Sequence, residues 1–240
     1  MKLVADLAFT AVAIVLFLSV LWIVRFWVKH AKDDPTVWER EIRRLEKFDR
    51  IRPPRPAAIH FVGSSSFRYW KSLTEDMAPL SVLNRGFGGS QIHDVTYYVQ
   101  RIVVPFQPRA IVFYAGENDL AGVLWSRQKS PEDVRLAFAK FCGTTHALLP
   151  DVPIYFISIK PPKARRKHWP TMQEANRLVR EHCCTDSRLH YIDVVPALLD
   201  DAGNPQLDVF RWDGLHYNEK GYAIWAAIIK PIFATPQMPA

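Results

Sequence analysis

Ile59-His60-Phe61-Val62 runs directly into Gly63-Ser64-Ser65-Ser66. A short apolar run ended by glycine reads as a buried strand reaching a tight turn. Phe67 to Leu73 contains neither Pro nor Gly and can open a helix behind that turn. The same strand–corner–helix pattern recurs down the chain. Strands are expected at 59–62, 81–83, 110–115, 154–159 and 191–194. Helices are expected from a Ser90 cap to about Val104 and from the capping box Ser130-Pro131-Glu132-Asp133 to just before Pro150. Two more are expected from about Thr171 to Cys183 and after Asn218. Strands alternating with helices predict a parallel sheet covered on both faces, an α/β fold in three layers. In such sheets a site lies at the C-terminal ends of the strands.

A different rule governs the N-terminus. Leu7 to Val24 carries no charge, and with Arg25 tolerated the apolar span reaches Val28, long enough to cross a bilayer as a helix. A signal peptide is the competing reading. Trp22, Phe26 and Trp27 followed by Lys29 and Lys32 read as an interfacial anchor, so residues 7–28 are expected to be an uncleaved single-pass membrane helix behind a tail of residues 1–6. Arg25, Lys29, Lys32, Arg40, Arg43 and Arg44 follow the span and only Lys2 precedes it, which by the positive-inside rule places the remainder on the cytoplasmic side. A signal anchor with an exported domain is the alternative.

Residues 29–56 form the next expected unit. Asp34-Pro35 is an N-cap with proline at the first helical position, and Trp38, Ile42, Leu45 and Phe48 or Asp49 recur at helical spacing. Arg52-Pro53-Pro54-Arg55-Pro56 is an extended linker, and residues 57–240 form the main domain. The net charge is +7, and residues 25–55 hold ten Lys/Arg against six Asp/Glu. More than half the surplus thus sits outside the domain, without an aromatic-and-basic motif, which argues against nucleic acid as a partner. Cys142, Cys183 and Cys184 have neither disulfide-framework nor zinc-like spacing.

Four corners carry the polar residues expected of a site: Gly63 to Ser66, Asn84 to Ser90, Gly116-Glu117-Asn118-Asp119, and Asp213-Gly214-Leu215-His216. A strand–turn–helix start suits either an anion or a serine nucleophile, since backbone N–H groups are free there. The first corner lacks the lysine of a nucleotide-binding loop. Asp213, three residues before His216, can bond Nδ1 of the ring and leave Nε2 for a serine. Plainer roles are expected elsewhere. Asp119 reads as structural, Arg68 and Arg85 as partners of carboxylates, and His93-Asp94 as a solvated pair. Lys163 to Trp169 reads as a solvated basic loop, with an anionic head group as the alternative. Trp125, Trp212 and Tyr217 could line a pocket, though core packing is the commoner fate of such rings.

As a set, these blocks resemble the SGNH or GDSL hydrolase superfamily over about residues 57–232. The resemblance implies a five-stranded parallel sheet in the flavodoxin-like order 2-1-3-4-5. It implies Ser65 as nucleophile, His216 and Asp213 as its triad partners, and an oxyanion hole from the N–H groups of Ser65 and Gly89 and the side chain of Asn118. The family's usual Gly-Asp-Ser reads Gly63-Ser64-Ser65 here, closest to a Gly-Ser-Ser-Ser-x-Arg-x-Trp variant. The implied function is hydrolysis of a small-molecule, lipid or carbohydrate ester, with no metal or other cofactor. An O-deacetylase of carbohydrate and a catalytically silent tethered binding domain are the alternatives.

Overall fold

A computed structural model describes residues 2–31, 33–122 and 126–234 of the chain. Five parallel strands form one sheet: β1 (Ile59–Gly63), β2 (Val82–Gly86), β3 (Ala110–Tyr114), β4 (Ile154–Ile157) and β5 (Leu189–Ile192). Their spatial order is β2-β1-β3-β4-β5, with Gly63 in register with both Gly86 and Tyr114. Nine helices are described: α1 (Lys2–Ala31), α2 (Glu39–Ile51), α3 (Ser65–Arg68), α4 (Leu73–Asp76), α5 (Ile92–Ile102), α6 (Glu117–Ala121), α7 (Pro131–His146), α8 (Trp169–Cys183) and α9 (Glu219–Ala234).

Strand alternation splits the core in two. Val62, Ile111, Phe113 and Phe156 pack under α2, α5, α7 and α8, whereas Phe61, Val112, Tyr114 and Tyr155 pack under α3, α4 and α9. This is the expected three-layer sandwich.

Several boundaries differ from expectation. β4 stops at Ile157 because the backbone of Ile159 turns to the Asn176 side chain, donating to Oδ1 at 2.7 Å and accepting from Nδ2 at 2.9 Å. β5 begins at Leu189, paired with Ile154, two residues before the predicted start. β2 extends through Asn84 and Arg85 to Gly86. Ser90 does not cap α5: its hydroxyl donates to the Phe87 carbonyl, and Gln91 with Asp94 forms the capping box instead. Pro170 opens α8 two residues early, behind a 3-10 turn over Lys163–His168, the stretch expected to be a solvated loop.

α1 is long and apolar enough to cross a membrane: Ala8–Arg25 has a mean hydropathy of 2.3 and none of it is buried against the protein. Lys32 and the side chains of Phe26, Trp27 and Lys29 in the expected anchor lie outside the described residues. α2 packs on the sandwich. Trp38 and Ile42 join the core, and at the 48–49 position it is Asp49 that turns inward, where its Oδ1 accepts from the buried Arg85 guanidinium at 2.9 Å. Phe48 faces outward. Arg101 from α5 reaches back to Glu39 and Glu46.

Candidate active site

β1 ends at Gly63, whose φ of 154° and position against β3 exclude any side chain: a Cβ would lie 2.0 Å from the Tyr114 carbonyl oxygen. Ser64 N–H donates to that carbonyl at 2.9 Å, and the chain turns into α3. The three serines thereby part. Ser64 and Ser66 are buried, while Ser65 lines an open cleft of about 340 Å³. Its Oγ lies 2.8 Å from Nε2 of His216.

The segment before α9 supplies the other half. His216 Nδ1 lies 2.7 Å from Asp213 Oδ2, and Asp213 Oδ1 accepts the N–H groups of Leu215 and His216, each at 2.9 Å. A ring that donates from Nδ1 leaves Nε2 as acceptor for the serine proton. Burial pushes the Asp213 carboxyl up, but the bonds from His216 and Leu215 outweigh it and hold the group below its ordinary range. His216 is also lowered, by burial first, with Asp213 opposing. A neutral imidazole backed by a carboxylate is the state a general base requires.

Gly89 and Asn118 line the same cleft. Gly88, at φ 35°, packs so closely on Trp38 that a Cβ would meet the indole at 1.8 Å, and its N–H donates to Glu41 Oε2 at 2.9 Å. The loop carrying Gly89 is therefore held by the segment that precedes the sandwich. Asn118, at the start of α6, donates from Nδ2 to the Ser90 carbonyl at 3.1 Å. Asp119 accepts the Ile92 N–H on both carboxylate oxygens, at 3.3 Å each, and is absent from the cleft lining, which makes it a prop for the start of α5; burial lifts its carboxyl to about 7.

Beside the cleft, with Arg165 in the cleft's own lining, lies a cluster that the sequence reading did not bring together. Glu117, buried, takes bonds from the Lys160 ammonium, from Tyr114 Oη at 3.0 Å and from Arg165 Nη1 at 3.1 Å. Burial raises the Glu117 carboxyl, but the charges of Lys160 and Arg165 overcome it and keep it ionised. Arg165 also donates from Nη1 to Asn118 Oδ1 at 3.0 Å. Both cations follow β4, at the sheet end where a site was expected. That position is the only sequence signal for them, and the basic surroundings of Arg165 concealed it.

The remaining expectations divide. Arg68 faces Glu41 at 3.3 Å and Arg85 pairs with Asp49, as anticipated. His93 and Asp94 do pair, at 3.2 Å, but not in solvent: Asp94 is buried and also accepts the Gln91 N–H. Tyr217 is core and Trp212 is 98% exposed, so neither lines the cleft, and Trp125 lies outside the described residues.

Residues 58–224 match the model of the GDSL-like lipase/acylhydrolase family. The chain belongs to that family. Its members are carboxylic ester hydrolases, and the sandwich described above is theirs. A GDSL-like lipase from Bacteroides thetaiotaomicron superposes with a TM-score of 0.66 at 16% identity, over 80% of this chain and 96% of the other. The lipase/acylhydrolase from Enterococcus faecalis gives 0.61 at 18% identity, over 76% and 99%. A family 3 carbohydrate esterase from Clostridium thermocellum gives 0.54 at 16%, over 72% and 93%. At these identities the likeness is one of fold. An N-acylneuraminate cytidylyltransferase from Escherichia coli O18:K1:H7 is 25% identical over 169 residues, 69% of this chain, but the chain spans only 38% of that protein's length.

Proposed function

We propose that this GDSL-family member is a membrane-anchored serine esterase that works through an acyl-enzyme, with Ser65, His216 and Asp213 as its triad. The observation that carries the reading is the continuous relay from Ser65 Oγ to His216 Nε2 at 2.8 Å and from His216 Nδ1 to Asp213 at 2.7 Å. A silent binding domain has no need of that alignment.

In this mechanism His216 takes the Ser65 proton as Oγ attacks the ester carbonyl. Negative charge grows on the carbonyl oxygen, and the N–H groups of Ser65 and Gly89 with the Asn118 amide receive it. An amide nitrogen carries two protons, and the Ser90 carbonyl occupies one, leaving one for the oxyanion. His216 then protonates the departing alcohol. Water, deprotonated by the same ring, attacks the acyl-enzyme and releases the acid. α1 tethers the domain, and the basic residues that follow it favour the cytoplasmic face.

The test is hydrolysis of p-nitrophenyl esters of graded chain length by the full chain in nonionic detergent. Ser65→Ala should cost on the order of 10⁴–10⁶ in turnover while the protein stays folded. Ester hydrolysis that survives Ser65→Ala would end this reading.

A further inference from the structure

A second cleft, of about 620 Å³, runs along the outer edge of the sheet between α2 and β2. Arg68 and Tyr69 line both this cleft and the catalytic one, so the two adjoin. The Tyr69 ring stands edge-on to His216, 4.6 Å between centroids, with Arg211 5.1 Å over it. Apolar surface lies along the second cleft: Phe48 and Ile51, which line it from α2, are 55% and 67% exposed, and Leu83 lines it from the edge strand. The charge around it is one-sided. Arg44 and Lys47 enter from α2, and Lys71 from the turn after α3. Among the described residues the one carboxylate in the lining, Glu41, is half-buried and is engaged by Arg68 and by the Gly88 N–H. Among the described residues no carboxylate pairs with Arg44, Lys47 or Lys71. The Lys71 ammonium is held below the ordinary lysine range by burial and then by the charges of Arg68, Arg44 and Arg211, of which Arg68 has Glu41 as a partner.

Such a channel is complementary to one kind of molecule. A neutral acyl chain would use the apolar strip and leave the cations idle. A small acetylated sugar would reach neither. A single-chain ester with a phosphate or similar anion uses both, and positive potential beside the cleft raises its local concentration. We propose that the cleft between α2 and β2 is the subsite for the non-reacting part of the substrate, and that the substrate is an anionic, lipid-like single-chain ester. Its chain lies along Phe48, Ile51 and Leu83, its anion between Arg44 and Lys71, and its scissile carbonyl reaches Ser65 past Arg68 and Tyr69. The proposal rests on the esterase reading given above, but binding tests it separately from turnover.

Two measurements decide it, both on the full chain in nonionic detergent. The first compares fatty-acid release from palmitoyl lysophosphatidylglycerol and palmitoyl lysophosphatidylcholine, which share the scissile ester and differ in net charge. The expected kcat/KM is at least about fivefold higher for the anionic ester, as two exposed ion pairs can supply. The combined Arg44→Glu and Lys71→Glu variant should remove that preference, chiefly through KM. The milder Arg44→Gln and Lys71→Gln pair should halve it or more, and serves if the reversed charges impair folding. Absence of the preference, or its persistence in a folded charge-reversed protein, overturns the proposal. The second is calorimetric titration of the Ser65→Ala protein with octyl phosphate and octyl glucoside. Tighter binding of the phosphate, lost in the charge-reversed variant, supports the subsite even if every ester goes unhydrolysed, an outcome that would sink only the esterase reading. Equal binding of the two amphiphiles overturns the subsite.

Discussion

Arg165 donates from Nη1 to the side-chain oxygen of Asn118 at 3.0 Å. Because Nδ2 of the same amide is committed to the Ser90 carbonyl, the two bonds fix which end of the Asn118 side chain is nitrogen. The Arg165 charge also sits one bond from the group assigned to the oxyanion. Arg165 is in this account a positioning residue that acts through Asn118.

Kinetics separates that role from substrate binding. Asn118→Ala should lower turnover by about 10²–10³ and leave KM within a few-fold, the mark of a contact made in the transition state. Arg165→Gln should lower turnover less, again with little change in KM. In the double variant the Arg165 loss should largely disappear, because the group it acts through has gone. Losses that multiply in full would show that Arg165 works independently of Asn118.

A pH profile tests His216. Burial lowers its pKa, so the neutral base persists below the ordinary histidine value of 6.5. The acid limb of kcat/KM should then have its midpoint below pH 6.5. A midpoint at or above 6.5 would contradict the burial and the role together.

His60 offers a stability test away from the cleft. It is buried in β1, neither ring nitrogen has a partner among the described residues, and burial, aided by Arg85, lowers it to about 3. The unfolded chain protonates this histidine near 6.5 and the folded chain resists until about 3, so its contribution is lost as pH falls between those values. At pH 5 the loss amounts to about 2 kcal/mol. Denaturant midpoints of His60→Phe, measured against pH, should show a shallower acid decline than the unaltered protein. Parallel declines would mean that His60 is not the group responsible.

The segment before the sandwich is expected to be part of the working unit. Glu41 holds the Gly88 N–H, Trp38 fills the space beside Gly88, and Asp49 neutralises the buried Arg85. Leaving a buried cation unpaired costs about 3–5 kcal/mol. A fragment starting at residue 33 should melt cooperatively and hydrolyse esters, and one starting at residue 57 should do neither. Equal behaviour of the two would show that α2 is dispensable.

Much of this molecule was legible in its sequence because strand-end corners announce themselves. Gly63, Gly89, Asn118 and the Asp213–His216 spacing each mark a place where backbone geometry and chemistry coincide. Charges whose meaning depends on tertiary partners were not legible. Lys160 and Arg165 become intelligible only when β4 sets them against Glu117, and Asp49 turns inward in place of Phe48 because Arg85 waits there. The helical period alone fits either residue. Ser90 failed as a cap for a similar reason: its hydroxyl bonds back to Phe87, and its carbonyl holds Asn118.

The central claim is that one serine of three is the nucleophile, and covalent labelling tests it most directly. A fluorophosphonate reacts with a serine that a histidine activates and spares ordinary hydroxyls. Peptide mass spectrometry of the labelled full chain should find a single adduct on Ser65, absent in Ser65→Ala and His216→Ala and retained in Ser64→Ala. An adduct on Ser64 or Ser66, or none on a folded protein, would contradict the account.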